Sequence, residues 1–286
     1  MKAVIKKTII LSIVIFIAYN VLLLLKHPVT GPGQHQWQKN RILIEDYVDY
    51  HEGVPVVIVG TSLSARLYPS LLPSGYFNLA LAGESIFDGL EIVKKSTKKP
   101  EYILVETNIF YKKPDKDLSE GVFNPMMLWI RKYIPSFREE NQPANLLPPL
   151  IAKAGKGEAV NTNSADTAIL NTLLKQKVAD YQQVPDSVTM TENLKLLKDY
   201  IRDFQAKGIK VVLYEIPVNC KLYQTPRYLV PKQKLTAAFP DRYFQWLSMP
   251  DCSAYQYGDG EHLALESSVK FVDWFVKALH QSGVKP

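Results

Sequence analysis

Four short stretches of this chain carry the residue types that acyl transfer needs. They are Gly60-Thr61-Ser62-Leu63-Ser64, a run ending at Gly83, Glu106-Thr107-Asn108, and Asp259-Gly260-Glu261-His262. Acyl transfer through a side chain requires a nucleophile, a base to take its proton, a carboxylate to orient the base, and donors for the oxyanion. Ser62 supplies the hydroxyl. Asp259 and His262 are three apart, so on a helical turn they face the same way, and Asp259 can hold one imidazole nitrogen while the other accepts the Ser62 proton. The oxyanion donors are the backbone N–H groups of Ser62 and Gly83 and the side-chain amide of Asn108. Gly83 suits that task because a side chain there would obstruct substrate.

Each piece also has an ordinary use. Ser64 is a competing hydroxyl that reads as a helix cap, Asn108 can close a strand end, and Asp-x-x-His is a common helix start. Glu106 and Glu215 end strands too, but turn hydrogen bonding accounts for them at least as well, and neither enters the catalytic set. Tyr255 and Tyr257, just before Asp259, suit a sugar-binding rim by stacking, or else they cover the loop. His27, His35, His51 and His280 have no comparable neighbours. No Cys/His/carboxylate spacing suggests a metal, and no glycine-rich loop suggests a nucleotide cofactor, so none is expected.

The elements that must position these residues read as strand, turn and helix in alternation. Pro55–Val59, Tyr76–Leu81, Tyr102–Val105 and Ile209–Ile216 are short apolar runs closed by turn residues, the pattern of buried parallel strands. Helices are expected over about Ser85–Lys95, from a capping box at Thr189-Met190-Thr191-Glu192 onward with Leu194, Leu197, Ile201 and Phe204 on one face, and over about Leu265–Leu279. This alternation predicts an α/β fold, a three-layer α/β/α sandwich with a parallel sheet. In such sheets reactive groups sit past the carboxyl ends of the strands, where all four stretches fall. Ser62 is expected on a strand-to-helix turn, with the helix N-terminus favouring negative charge.

The order Ser, Gly, Asn, His resembles the SGNH (GDSL-like) hydrolase superfamily. The matching blocks are Gly60-Thr61-Ser62-Leu63, Asn78-Leu79-Ala80-Leu81-Ala82-Gly83, Glu106-Thr107-Asn108 and Asp259-Gly260-Glu261-His262, within a span of about 54–282. Two departures stand out: Thr61 where the superfamily usually has Asp, and Glu106-Thr107-Asn108-Ile109 in place of a Gly-x-Asn-Asp pattern. Neither removes one of the four catalytic groups.

The N-terminus sets the compartment. Thr8–Leu25 is uncharged and apolar, with Lys2, Lys6 and Lys7 ahead of it, and its end offers no small-residue cleavage site. The expectation is an uncleaved single-pass anchor crossing the cell membrane through residues 8–25, with the remainder outside the cytoplasm, periplasmic or extracellular. The predicted organisation is a cytoplasmic tip and anchor over 1–26, a linker and lead-in helix over 27–50, and a catalytic domain over 51–286 with a large insertion at about 111–188. Inside that insertion, Phe123–Phe137 is densely apolar and reads either as a membrane- or partner-facing element or, more commonly, as a helix packed over the domain core. Those three lysines supply half of the formal charge of +6, and no Lys/Arg block carries interleaved aromatics, so nucleic acid is not an expected partner. Cys220 and Cys252 would lie in an oxidising space, where a disulfide and two unpaired buried thiols are equally open.

Anchored members of the superfamily look like O-acetyltransferases of exported polysaccharides and cell-wall polymers, supplied with acetyl groups by a multispanning membrane O-acyltransferase. The resemblance therefore implies an acyl-Ser62 intermediate resolved by a glycan hydroxyl. An anchored esterase or deacetylase that transfers to water, and a non-catalytic polymer-binding or assembly module, stand as alternatives.

Overall fold

A computed structural model describes residues 1–26, 35–145 and 167–285. In chain order its helices are α1 (Lys2–Lys26), α2 (Gln36–Glu45), α3 (Ile86–Lys95), α4 (Lys116–Val122), α5 (Pro125–Tyr133), α6 (Thr167–Asp180), α7 (Ser187–Ala206), α8 (Pro226–Ala238) and α9 (Leu265–Gln281). Its strands are β1 (Val56–Gly60), β2 (Tyr76–Ala80), β3 (Tyr102–Glu106), β4 (Lys210–Tyr214) and β5 (Gln245–Trp246). The chain divides into two compact units: Met1–Tyr50 with Glu120–Asn161, and His51–Ser119 with Thr162–Pro286. The insertion is thus shared between them.

The second unit is α/β, built on a parallel sheet in the order β2-β1-β3-β4-β5. β1, β2 and β3 are buried along their whole length, which is why they read as mostly apolar runs rather than alternating ones, Asn78 of β2 and Glu106 of β3 being the polar exceptions. Val56 and Ile58 join Tyr102, Leu104, Val212 and Tyr214 in a core that also holds Phe271, Val272, Phe275 and Leu279 of α9. Each of these large side chains contributes about 1.5–3 kcal/mol by burial. Val59 faces α3, where Gly89 leaves no room for a side chain: an added Cβ would stand 2.7 Å from Val59 Cγ1. Because the chain steps from β1 outward to β2 and then back to β3, the strand order reverses between β1 and β3, the place where open parallel sheets present a crevice to ligands.

The four expected strands are present, each within two residues of its expected ends. β5 had no signal, being two residues long. The expected capping box at Thr189–Glu192 is not the start of α7. Asp186 caps that helix instead, its Oδ2 accepting from the Thr189 N–H at 2.7 Å, because an aspartate one turn earlier satisfies the same free backbone donors.

The first unit joins α1 and α2 to α5 and the short 3-10 turns Pro135–Phe137 and Glu139–Asn141. α2 continues as a π-helical turn, Asp46–Tyr50, so the expected lead-in helix is present over its predicted span. Its centre is Arg131, fully buried, which donates from Nε to Asp49 Oδ2 at 2.8 Å and from Nη2 to the Val122 carbonyl at 2.9 Å, with Glu45 3.6 Å away. α1 is long and apolar enough to cross a membrane. Phe123–Phe137 falls outside the unit that holds the sheet. It belongs to the first unit, and Arg131 is the one buried residue of α5. Residues 27–34 of the expected linker and 146–166 of the insertion lie outside the described residues.

Candidate active site

The loop that carries Ser62 begins where β1 ends. Leu81 N–H bonds the Gly60 carbonyl at 3.0 Å, and the backbone then tightens through Ala65→Thr61 and Arg66→Leu63 bonds into a 3-10 turn, Ser64–Arg66. The expected helix after Ser62 is therefore only three residues long. The next turn, Pro69–Leu71, is again 3-10, so helix-dipole support for negative charge at Ser62 is slight.

What fixes this loop is a carboxylate. Glu106, at the end of β3 and fully buried, accepts from Thr61 N at 2.9 Å, Thr61 Oγ1 at 2.8 Å, Ser64 N at 3.1 Å and Ser64 Oγ at 2.6 Å. Burial pushes its carboxyl pKa up, against those four hydrogen bonds. Tyr214 at the end of β4 donates to Ser64 Oγ at 2.6 Å, extending the chain of bonds across three strands. Ser64 thus serves the loop and is not the helix cap expected of it. Asn78 of β2 completes the frame, its Nδ2 donating to the carbonyls of Ser64 and Leu67, each at 2.8 Å. The packing leaves no room at position 60, where an added Cβ would lie 2.5 Å from Ser64 Cβ and 2.7 Å from Glu106 Oε2.

Asp259 and His262 come from a loop and not from a helix start. α9 begins only at Leu265, while Gly258→His262 and Ala264→Gln256 backbone bonds draw the loop into a hairpin-like turn. Gly260 stands at φ 87°, a left-handed conformation that a side chain would strain. Asp259 Oδ1 accepts from the backbone N–H groups of Glu261 at 3.0 Å and His262 at 2.8 Å, which brings the two side chains together without a helix. Its Oδ2 lies 2.7 Å from His262 Nδ1, and His262 Nε2 lies 2.8 Å from Ser62 Oγ. Asp259 fixes the proton on Nδ1, so Nε2 is free to accept from the serine hydroxyl. Burial alone would raise the Asp259 carboxyl. The hydrogen bonds from the His262 ring and from the two backbone N–H groups outweigh it and hold the carboxyl well below its usual range.

Glu261, between the two, points the other way. It pairs with Lys177 of α6 at 2.6 Å and accepts a short hydrogen bond from Tyr181. Leu174 of α6 sits over Gly260 so closely that an added Cβ would meet its Cα at 3.2 Å. Arg227 lies over the Tyr181 ring and donates to Tyr111, while Cys220 and Cys252 form a disulfide that ties the segment after β4 to the approach of this loop.

Gly83 and Asn108 follow the ends of β2 and β3, the strands on either side of β1. Gly83 has φ 76°. Asn108 holds the exit of β4, donating from Nδ2 to the Ile216 carbonyl at 2.9 Å and accepting from the Ile216 N–H at 2.8 Å, which leaves one N–H of its amide for another acceptor. Nearby, Asp88 closes a capping box with Ser85, and burial pushes its carboxyl up to about 6 against hydrogen bonds from the Ser85 and Asp115 N–H groups. Tyr255 packs edge-on to Phe271 in the core, and Tyr257 donates to the Cys252 carbonyl at 3.0 Å. Both rings serve the loop, and both also border a cavity of about 590 Å³ with Leu170, Leu174 and Asn219.

Sequence reasoning set Glu106 aside and did not single out Lys177, Tyr181 or Glu261 as a brace. The one legible signal was a carboxylate ending a buried strand, where an acid needs a reason to be. No family model, curated protein or solved structure matches the chain.

Proposed function

We propose that the protein is a serine acyltransferase anchored in the cell membrane, with the domain bearing Ser62 outside the cytoplasm. The observation that carries this is the continuous relay from Asp259 through His262 to Ser62, at 2.7 and 2.8 Å, at the sheet's reversal point. Glu106 fixing the nucleophile loop supports it, since a pure binding module has little need of a serine held against a base. The three-layer arrangement and the kinship to the SGNH hydrolases belong to the same reading, supported by strand order and by helices α3 and α9 on opposite sides of β1.

The reaction divides into two transfers. Ser62 Oγ attacks the carbonyl carbon of an ester donor while His262 Nε2 takes its proton, and Asp259 stabilises the imidazolium. The tetrahedral oxyanion is received by the N–H groups of Ser62 and Gly83 and the remaining amide N–H of Asn108. Collapse breaks the bond to the donor alcohol, which leaves with the proton from His262, and acyl-Ser62 remains. An acceptor hydroxyl then loses its proton to His262 and attacks the acyl carbon, and the bond to Ser62 Oγ breaks as His262 returns that proton to it. The acceptor in this reading is a hydroxyl of an exported or cell-surface glycan, and the donor is presented by a multispanning membrane acyltransferase. Transfer to water in place of a glycan gives the esterase reading.

The test is labelling of the full chain with a fluorophosphonate. The expected result is labelling abolished by Ser62→Ala and reduced at least about 10⁴-fold in rate by His262→Ala. A folded wild type that does not label, with or without membrane extract, sinks the catalytic reading in favour of a polymer-binding module. Labelling with partition of an acetyl-enzyme only to water selects the esterase.

A further inference from the structure

In the first unit, α5 presents Met126, Trp129 and Tyr133 on one face at 64%, 61% and 58% exposure, with Phe137 beyond them. The spacing of three and four residues places these side chains in one stripe, opposite the buried Arg131. A face this apolar, with two large aromatics, requires an occupant.

The same unit shows what that occupant is. The turn that follows α5 is fastened to α1: Ser136 N–H donates to Asn20 Oδ1 at 3.0 Å, Tyr19 donates to the Asn141 carbonyl, and Phe16 meets Phe137 edge-on at 6.3 Å. At 1.5 Å per residue α1 rises about 18 Å from Thr8, where the uncharged run begins, to Asn20, out of the roughly 30 Å of bilayer hydrocarbon. Leu25, the end of the apolar run, lies only about 8 Å further on. The Asn20 fastening therefore stands about 8 Å inside the far end of the apolar run, within the depth at which interfacial helices seat their apolar faces, and the Phe16 contact about 6 Å deeper. Tryptophan and tyrosine favour this level, because an apolar ring enters the acyl chains while its polar atom stays in the headgroups. Lys132, exposed beside Tyr133, is placed for anionic headgroups.

We infer that α5 is an interfacial helix, its Met126–Trp129–Tyr133 face immersed in the lipid leaflet at the far end of α1. This rests on the anchoring reading above. It adds a second membrane contact that fixes the tilt and depth of the first unit, where a lone helix would leave both free.

Full-length protein in phosphatidylcholine–phosphatidylglycerol vesicles with brominated acyl chains tests this through tryptophan quenching. Trp129 is one of four tryptophans. The Trp129→Phe variant is expected to lose roughly half or more of the wild-type quenching, and moving the tryptophan to 133 (Trp129→Phe with Tyr133→Trp) is expected to restore it. Trp274→Phe is expected to leave it unchanged. Unaltered quenching in Trp129→Phe, in protein that still resists carbonate extraction, overturns the interfacial helix while leaving α1 as an anchor, and assigns the face to a protein partner. Extraction of the wild type by carbonate overturns both. A melting curve matching that of wild type shows that each variant is folded.

Discussion

The two loops that meet at Ser62 Oγ are each held by a buried glutamate, in opposite ways. Among the described residues Glu106 meets no cation. It takes four hydrogen bonds from the nucleophile loop itself, at the end of a central strand. Glu261 takes one cation and one phenol, both from α6 or the residue following it, in the second half of the insertion. Ser62 is thus fixed by the sheet, whose geometry is set by strand pairing. His262 is braced by a peripheral helix with a partly exposed lysine, a contact much easier to loosen.

The contrast can be broken most forcefully at Glu106. Glu106→Ala strands the N–H groups of Thr61 and Ser64 in a dry interior, and a loss of about 4 kcal/mol is expected in denaturant unfolding, with labelling at Ser62 nearly abolished. Glu106→Gln, which keeps the volume and one acceptor, is expected to lose less of both. If the alanine variant unfolds within about 1 kcal/mol of wild type, the sheet does not fix the nucleophile in the way described. On the other loop, Cys220→Ser with Cys252→Ser is expected to cost about 3–4 kcal/mol through the freed 32-residue separation, with the relay itself retained. Lys177→Met sharpens the comparison at a smaller scale. A stability loss of about 1 kcal/mol is expected, while the labelling rate falls about tenfold because His262 is less well aimed. A rate unchanged by that substitution would detach α6 from the site.

The smallest effects concern pH and carry opposite signs. Asp259 has a depressed folded pKa, so its contribution to stability is complete above the ordinary aspartate value near 3.9 and is lost as pH falls below it. Asp88 has a folded pKa raised to about 6, so its contribution is complete below about 3.9 and is lost as pH rises to 6. Melting temperatures of Asp259→Asn and Asp88→Asn across pH 3–7 separate the two. The first variant should flatten the acid limb and the second the fall in stability between pH 4 and 6, and a shared response from both would refute the assignment.

How much of this was legible in the sequence follows the same division. β1 to β4 were readable because burial on both faces makes their residues uniformly apolar and their ends are marked by glycine, proline or asparagine. Ser62, Asp259 and His262 were found by type and order, yet the reason the last two face each other was misassigned. Their proximity comes from Asp259 capping its own loop around Gly260, a turn that sequence spacing does not distinguish from a helix start. Glu106 was visible but its partners lie 42 and 45 residues away, and those of Glu261 lie 80 and 84 residues away. No local pattern encodes such pairings, because only the folded sheet and the docked α6 bring them into reach. The start of α7 failed for a simpler reason: two acceptable caps stood three residues apart, and the earlier one is used.

The missing side chain at Gly60 has a consequence for inheritance. Position 60 has no Cβ because Ser64 and Glu106 occupy its space, and position 61 meets the same carboxylate through its hydroxyl. An aspartate arriving at 61 would face Glu106 as a like charge at hydrogen-bonding distance, and a glycine arriving at 106 would leave Thr61 and Ser64 without an acceptor. Either step alone is expected to cost stability, although together they would relocate one carboxylate from strand to loop, so positions 60, 61, 64 and 106 are expected to vary together.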